Sequence, residues 1–236
     1  MGGSIVEAMC VEPEWLKVER IRLREGGHRI VHFTDLHFRG DAAYLRRVVE
    51  TINMEQPDVV CFTGDVVEEA KYFAPALEIL QNIKAPLYGI PGNHDFWAGA
   101  DFDLARKKFS AQGGRWLMDE STIAASGSVT LHGVTGGKQP DWNLSKNNPN
   151  ILLSHYPNWV EKISGARFDL ILSGHSHGGQ VRLPGIGALL TPSGVGKFEM
   201  GLFQTPAGPM YVNPGIGYFY ANVRFCCRPE ITVFEL

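Results

Sequence analysis

The chain has 236 residues, a formal net charge of −3 and a mean hydropathy of −0.09. This mild acidity, with no block of Lys or Arg, argues against a nucleic-acid-binding protein. No apolar run reaches the roughly 18 residues of a membrane-spanning helix, and the beginning of the chain carries acidic side chains where a secretory signal would be basic.

The cysteine content agrees with these exclusions. Four cysteines without a CxxC spacing are too few for a disulfide scaffold, so we expect a cytoplasmic protein. A chain of this length can form one large core. No repeat or change of composition marks a boundary, and we expect a single domain over residues 1–236. Residues 1–28 form a lead-in segment, and residues 30–184 carry the motifs. Nothing in the sequence indicates an oligomeric state.

Strand and helix patterns alternate along the chain, which indicates a layered α/β fold. Five apolar runs have strand character, namely RIVHF, DVVCF, APLYGI, NILL and FDLIL. The spacing of apolar residues predicts helices over 41–56, 68–83 and 101–112, with Asp41 and Asp101 as N-caps.

The character of the chain changes after the third predicted helix. Short strand-like segments separated by polar and Gly turns over 114–135 predict a hairpin-rich second sheet. The segment 136–150 is rich in Gly, Pro and Asn and is therefore expected to be a surface loop.

Each of the five strand-like runs is followed by a short motif with metal-binding side chains. The motifs are TDLH, TGD, GNHD, SHYP and SGHSH. Their candidate ligands are Asp35, His37, Asp65, Asn93, His155, His175 and His177. Because loops converge at the carboxyl ends of strands in α/β folds, we expect these side chains to form one cluster. A lone histidine is usually structural, and we interpret His28, His32 and His132 in that way, but five ordered motifs are specific.

The types of ligand indicate the chemistry of the cluster. Carboxylate, amide and imidazole groups together favour Mn, Fe or Zn over Mg or Ca, and the lack of thiolates argues against structural zinc. The two oxygens of Asp65 suit a bridge between two metal ions about 3.5–4 Å apart. We therefore expect two divalent transition-metal ions, with Mn as the first choice, that activate a water for in-line attack on phosphorus.

Four further residues are candidates for a role in catalysis or in substrate binding. His94 is expected to face the scissile phosphate and either donate a proton to the leaving oxygen or stabilise developing charge. Asp95 is expected to orient that imidazole and keep it protonated. Arg39 is a candidate phosphate contact, with a solvated loop arginine as the alternative. Trp97 is a candidate for stacking on a base or covering a substrate chain, with local packing as the alternative.

These motifs resemble those of the calcineurin-like metallophosphoesterases over the region from Asp35 to Pro184. The resemblance implies an α/β fold in the form of a four-layer α/β/β/α sandwich, with two mixed sheets flanked by helices and a dinuclear site at one edge. It also implies two ligand sets with one bridge and one catalytic histidine. One ion would be held by Asp35, His37 and His177, the other by Asn93, His155 and His175, with Asp65 as the bridge and His94 as the catalytic histidine.

Departures from the motifs of particular subfamilies narrow the expected substrate. Protein serine/threonine phosphatases have Asp-Arg-Gly after their GD motif and GNHE as the third motif, whereas here Glu68 follows two valines and the third motif ends in Asp95. The segment GHSHGGQVRLP is similar to that of small bacterial phosphodiesterases, which include enzymes that cleave UDP-2,3-diacylglucosamine in lipid A biosynthesis. We therefore expect a phosphodiester or pyrophosphate substrate, either a small molecule or a lipid.

Two alternatives to a lipid-directed enzyme stay open. One is a general soluble phosphodiesterase, and the more distant one is a metal-dependent binding scaffold without catalysis, although no ligand of the pattern is missing. A lipid substrate would imply peripheral contact with the inner membrane. The aromatic residues Tyr211, Tyr218, Phe219 and Tyr220 are candidates for that contact because aromatic loops favour the boundary between lipid and water.

Overall fold

The computed structural model describes residues 7–23, 27–127, 129–137, 139–219 and 221–236, and over these residues two mixed sheets form the centre of the fold. The first sheet has the strand order β1 (Lys17–Arg22), β14 (Glu230–Glu235), β2 (Arg29–Phe33), β3 (Val59–Phe62), β4 (Leu87–Gly89) and β5 (Arg115–Trp116). The second has the order β12 (Gly201–Thr205), β13 (Gly208–Val212), β9 (Leu170–Ser173), β8 (Asn150–Ser154), β7 (Thr130–Val134) and β6 (Glu120–Ile123). A short hairpin pairs β10 (Arg182–Leu183) with β11 (Gly187–Ala188).

Parallel pairing in the middle of both sheets determines where the loops emerge. Strands β2 to β5 run parallel to one another, as do β7, β8, β9 and β13. The carboxyl ends of parallel strands lie at the same edge of a sheet. Loops that follow these strands can therefore meet at one place.

Side chains along the central strands point alternately to the two faces of each sheet, so a separate core lies on each face. On β3, Val60 and Phe62 pack against the helices, whereas Val59 and Cys61 face the second sheet. On the second sheet, Leu152 belongs to the outer core, while its neighbours on β8 pack between the sheets. Burial on both faces explains why these strands are continuous apolar runs.

Helices cover the outer faces of the two sheets. The α-helices are α1 (Ala42–Met54), α2 (Phe73–Leu80), α3 (Asn93–Ala98) and α4 (Phe102–Ala111). Buried residues of α1, α2 and α4 pack on the first sheet. The outer face of the second sheet is covered by the 3₁₀ helix Pro157–Lys162 and by loop residues. The predicted four-layer α/β/β/α sandwich is therefore confirmed, with a 3₁₀ helix in its fourth layer.

Short helical turns complete the secondary structure. They are the π-helical turn Glu7–Val11 and the 3₁₀ turns Glu12–Glu14, Ala70–Tyr72 and His177–Gly179. No helix in the part of the chain that the structure describes is long and apolar enough to cross a membrane. The division of the chain into one domain stays a prediction.

The helix predictions succeed at two N-termini and fail at one. The Asp41 and Asp101 side chains accept hydrogen bonds from the backbone three residues onward, each at 3.0 Å, as N-caps do. The helix predicted from residue 68 was wrong at its start, because α2 begins at Phe73. The lead-in segment is not merely a connection, since it contributes β1, which pairs in parallel with β14.

Candidate metal centre

The five motif loops meet at the shared edge of the two sheets. Those after β2, β3 and β4 come from the first sheet, and those after β8 and β9 come from the second. All seven predicted ligands are buried there, namely Asp35, His37, Asp65, Asn93, His155, His175 and His177. The structure thus brings together every residue of the predicted ligand set.

An unusual backbone conformation accompanies this convergence. Five of the seven predicted ligands have positive φ angles between 42° and 65°, namely Asp35, His37, Asp65, His175 and His177. For residues other than glycine this conformation costs about 1–2 kcal/mol each, although Asp and His adopt it more readily than most. Such strain persists where the surrounding structure enforces it, and it concentrates at functional sites.

Glycines in the motifs allow the loops to approach one another. A Cβ atom added to Gly92 would collide with Asp65 Oδ1, and one added to Gly174 would collide with Asp35 Oδ2. The GNHD loop therefore lies directly on the GD loop, and the GHSH loop lies on the DLH loop. This contact gives a steric reason for glycine at both positions.

The first ligand set joins the DLH and GHSH loops. His37 Nε2 lies 3.0 Å from His177 Nε2, and Asp35 Oδ1 lies 3.6 Å from His177 Nε2 and 3.9 Å from His37 Nε2. These three side chains can hold one metal ion between them.

The second ligand set lies around His155. Its Nε2 is 3.0 Å from Asn93 Oδ1 and 3.2 Å from His175 Nδ1. Asp65, His155 and His175 offer ligand atoms close enough to hold a second ion. Neutral Asn93 adds an oxygen at the same place.

Asp65 lies between the two ligand sets. Its Oδ2 is 3.6 Å from His37 Nε2 and 3.3 Å from His155 Nε2. This oxygen is buried and has no hydrogen-bond partner within the described residues, whereas Oδ1 accepts a hydrogen bond from the backbone of His94 at 2.8 Å. A buried carboxylate oxygen without a donor is costly unless a cation approaches it.

In three of the imidazoles, the ring nitrogen that points away from the cluster forms a hydrogen bond with a protein oxygen. His155 Nδ1 donates to the Thr63 carbonyl at 2.7 Å, and His175 Nε2 donates to the Ser193 carbonyl at 2.7 Å. His37 Nδ1 contacts Glu68 Oε1 at 2.5 Å. With one nitrogen donating outward, the other presents its lone pair to the cluster, as in histidines that bind metals. Lone pairs about 3 Å apart repel one another unless a cation lies between them, so the residues present fit metal ions.

The charges of the cluster agree with this fit. Burial alone would raise the pKa of Asp35, but His177 and His37 outweigh it and hold that pKa below its ordinary value. Burial lowers and Asp65 raises the pKa of His155, with a net rise to about 9. Burial and the neighbouring His155 lower the pKa of His175 to about 4. The anionic carboxylates therefore attract positive charge to this place, either as a proton on His155 or as a metal ion that takes the place of that proton.

His94 lies beside the cluster with a partner that the sequence did not predict. Its Nδ1 is 2.8 Å from Glu68 Oε2, and the other oxygen of Glu68 contacts His37. Burial would raise the pKa of Glu68, but His37 and His94 outweigh it and hold that pKa well below the ordinary value. His94 also lies close enough to His37 and Asp65 to form a third possible ligand group.

The predicted contact of Asp95 with the His94 ring was wrong. The Asp95 carboxylate instead accepts backbone hydrogen bonds from Asp65 at 3.0 Å, Val66 at 2.8 Å and Gly92 at 2.9 Å. Its side chain turns back to the N-cap residue Gly92 of α3 and to the turn after β3, where backbone N–H groups attract a carboxylate. Asp95 therefore fixes the turn that carries Asp65 and does not touch the imidazole.

A cleft of about 790 Å³ opens from the cluster to the surface. Arg39, His94, Trp97 and Phe219 are among the residues that line it. The Trp97 side chain is 73% exposed, and its ring centroid lies 4.7 Å from that of His94. The Arg39 guanidinium stacks on the ring of Tyr218 at 4.5 Å and lies 3.5 Å from a Glu68 oxygen. Both candidate substrate contacts thus line the cleft.

The other predicted roles have mixed outcomes. Tyr211 was wrongly predicted as a surface aromatic, because it is buried on β13 and donates to Glu230 at 2.6 Å. Tyr220 lies outside the described residues. His32 is buried with its Nε2 at 2.8 Å from the Thr63 hydroxyl, and His132 contacts Ser121 at 2.7 Å. Neither histidine belongs to a possible metal group within the described residues.

Comparison with known proteins identifies the family. The model of the calcineurin-like phosphoesterase domain matches residues 28–179, so the chain belongs to the calcineurin-like phosphoesterase family and is a hydrolase that acts on phosphoester bonds. The chain is 31% identical to the uncharacterized metallophosphoesterase YkuE of Bacillus subtilis, in an alignment that covers 100% of this chain and 90% of that protein.

Two relatives with more specific names are also similar. Phosphodiesterase YaeI of Escherichia coli is 28% identical over 95% of this chain and 90% of its own length. UDP-2,3-diacylglucosamine pyrophosphatase LpxG of Chlamydia trachomatis is 27% identical over 98% of this chain and 92% of its own length. The crystal structure of TT1561 of Thermus thermophilus has a TM-score of 0.50 at 12% identity, covers 80% of this chain and 90% of that one, and supports the fold alone.

Proposed function

We propose that the protein is a phosphodiesterase or pyrophosphatase that uses two divalent metal ions. One ion would be held by Asp35, His37 and His177 and the other by Asn93, His155 and His175, and Asp65, which lies between the two sets, would be shared by both. The observation that carries this proposal is the set of imidazole nitrogens about 3 Å apart around a buried carboxylate oxygen without a donor. Such a pair of ions supplies a water of lowered pKa and positive charge for the phosphate oxygens.

The protein side chains supply proton transfer and orientation. Glu68 accepts from His94 Nδ1, so Nε2 is the nitrogen that can deliver a proton to the leaving oxygen. Glu68 also fixes the orientation of the His94 ring, because it accepts that hydrogen bond at 2.8 Å. Arg39 can contact a phosphate oxygen when it moves from Glu68 toward the cleft. Asp95 holds the backbone of the Asp65 turn in place.

Manganese is the proposed native metal, and iron and zinc are the alternatives. The donor set mixes carboxylate, amide and imidazole groups, which suits these ions better than magnesium or calcium. Loading the purified protein separately with each metal and measuring hydrolysis would rank them. Equal activity with magnesium would contradict this assignment.

For the substrate we propose UDP-2,3-diacylglucosamine in lipid A biosynthesis, with a general soluble phosphodiesterase as the second candidate. The named activity of LpxG supports the first, and the name of YaeI supports the second. A lipid substrate would place the enzyme in the cytoplasm in peripheral contact with the inner membrane. Co-sedimentation with anionic vesicles would test that contact, and its absence would favour the soluble enzyme.

A panel of mono-, di- and pyrophosphate esters, offered with Mn²⁺, tests the proposed function. We expect turnover of diesters or pyrophosphates, and release of UMP and lipid phosphate from UDP-2,3-diacylglucosamine. Cleavage of small diesters alone would leave the general phosphodiesterase. No turnover of any ester, with both ions bound, would support the distant alternative of a binding scaffold.

A further inference from the structure

We propose that the residues around the hairpin β10–β11 bind an alkyl or acyl chain on one ester arm of the substrate. The surface, here called the hairpin wall, consists of Val181, Leu189, Leu190 and Pro192. The inference rests on the proposed phosphoesterase function and adds the chemical class of one half of the substrate.

The hairpin wall belongs to the same cleft as the metal centre. All four of its residues line that cleft together with His175 and His177. The Leu189 and Leu190 side chains are 57% and 77% exposed. Single exposed leucines need no explanation, but two adjacent ones in the wall of a catalytic cleft form an apolar surface that water must cover.

The hairpin wall is held firmly against the metal centre. Arg182 Nη1 donates to the Gly178 carbonyl at 2.7 Å and pairs with Glu199 at 3.1 Å. A Cβ atom added to Gly179 would collide with Ala188, so the hairpin lies directly on the turn that follows His177. A surface fixed in this way binds without the cost of ordering a loop.

The wall leads directly to the second ligand set. Ser193, which comes directly after Pro192, accepts the hydrogen bond of His175 Nε2 at 2.7 Å. The apolar surface therefore adjoins a residue that is hydrogen-bonded to a proposed ligand. A chain attached to a phosphate at the metal centre can reach it.

The residues that line the cleft differ in chemistry from one part of it to another. Near His94 the cleft is lined by charged and aromatic residues, and the Phe219 ring centroid lies 5.4 Å from that of His94. The hairpin wall is aliphatic and carries no charge. In the proposed function His94 serves the leaving group, so the wall is assigned to the ester arm that stays on the phosphate.

A series of 4-nitrophenyl phosphodiesters with methyl, butyl and octyl arms tests the proposal. All three release the same nitrophenolate, and each is used below its aggregation concentration with the Mn²⁺-loaded enzyme. Complete burial of one methylene strengthens binding affinity about fourfold. The octyl arm has seven more methylenes than the methyl arm, so even partial burial on the wall should raise kcat/KM about tenfold from methyl to octyl. In the double variant Leu189→Ser and Leu190→Ser, the ratio of octyl to methyl should fall to about one.

Ile123→Ser is the matched control, because Ile123 is 61% exposed on β6 and does not line the cleft. It should keep the wild-type ratio, and thermal unfolding should show that all variants are folded. Turnover of the methyl diester without a preference for octyl, or an unchanged ratio in the double variant, would overturn the inference and leave the proposed function standing. If the double variant loses vesicle binding but keeps the octyl preference, the wall binds a bilayer and not the substrate, and the inference is also overturned. No turnover of any diester, together with no cleavage of pyrophosphate esters by the Mn²⁺-loaded enzyme, would overturn the proposed function itself.

Discussion

Asp65 differs from the other proposed ligands because one of its oxygens faces both ligand sets. In Asp65→Asn an amide group provides one neutral oxygen and a donor, so it cannot bridge two cations in the same way. We expect elemental analysis after Mn²⁺ loading to give about one ion per chain instead of two. Asn93→Ala removes a terminal ligand and should lower the occupancy less.

Asp103→Asn is a control for this change, since the Asp103 side chain is 92% exposed and lies on α4. It should retain the wild-type metal content. A wild-type protein that binds only one ion per chain while folded would contradict the dinuclear assignment.

His94 is the residue that separates proton transfer from metal binding. If it acts on the substrate, His94→Ala should keep both ions and lose about 10²–10⁴-fold in kcat. The loss should be smaller for esters with good leaving groups, because these need no proton. Loss of an ion would instead place His94 in the third possible ligand group. An equal loss with good and poor leaving groups would remove the proton-donor role and leave charge stabilisation.

Glu68 contacts His94 with one carboxylate oxygen and His37 with the other. Glu68→Gln keeps the shape but replaces a carboxylate that accepts from His94 Nδ1 by an amide that accepts more weakly, so the ring is held less firmly. We expect a loss of about 10–100-fold in kcat, the usual effect of a residue that orients a ligand or an acid. Glu69→Gln is the matched control, because the Glu69 side chain is 57% exposed and pairs with Lys71. Equal rates for both variants would show that Glu68 does not position His94.

The loop after β13 is an element that supports the metal centre without contributing a ligand. Its backbone donates to the carbonyls of Thr34 at 3.0 Å and Asp35 at 2.7 Å. Arg224, 1% exposed, holds this loop by donating to the carbonyls of Pro214 at 3.0 Å and Gly215 at 3.1 Å. The arginine therefore acts on Asp35 through the loop.

Replacement of Arg224 by Met should destabilise the protein. Each buried carbonyl that loses its donor costs about 1–3 kcal/mol, so we expect a loss of at least about 3 kcal/mol in the free energy of unfolding. The variant should also bind the first ion less tightly. Arg106→Met on the exposed face of α4 is the control for denaturant unfolding. Equal stability of the two variants would show that the loop is held by other contacts.

Comparison of elements with their sequence patterns shows where prediction from sequence ends. The strands before the motifs were predictable because they are apolar runs buried on both faces, and the ligands followed from their positions after those runs. The predicted helix start at residue 68 failed because Val66 and Val67 donate to Asp95 and Glu68 contacts two histidines. Those contacts hold the segment at the metal centre, so α2 begins only at Phe73.

Contacts between distant parts of the chain could not be predicted either, because no local sequence pattern specifies them. The carbonyls of Thr63 and Ser193 orient two histidines, but a backbone carbonyl carries no signature in the sequence. The parallel pairing of β1 with β14 joins the two ends of the chain, and no local pattern specifies it. In the sequence, Glu68 is only a carboxylate three residues after the GD motif, and nothing there indicates its contacts with His37 and His94.

At the scale of the whole molecule, the metal centre joins the two sheets. Asp35, His37, Asp65 and Asn93 follow strands of the first sheet, whereas His155, His175 and His177 follow strands of the second. Each proposed ion would have ligands from both sheets. Metal binding should therefore stabilise the packing of one sheet on the other as well as the local loops.

Removal of the ions should lower the midpoint of thermal unfolding. A ligand present at 100 times its dissociation constant adds about 2.7 kcal/mol to the free energy of unfolding. For a chain of this size that corresponds to a fall of roughly 5–10 °C when a chelator removes the ions, and added Mn²⁺ should restore the midpoint. In Asp65→Asn the chelator should have a smaller effect, because less metal is bound at the start. An unchanged midpoint, with elemental analysis confirming that the metal has left, would show that the ions do not connect the sheets and that protein contacts alone hold this edge of the sandwich together.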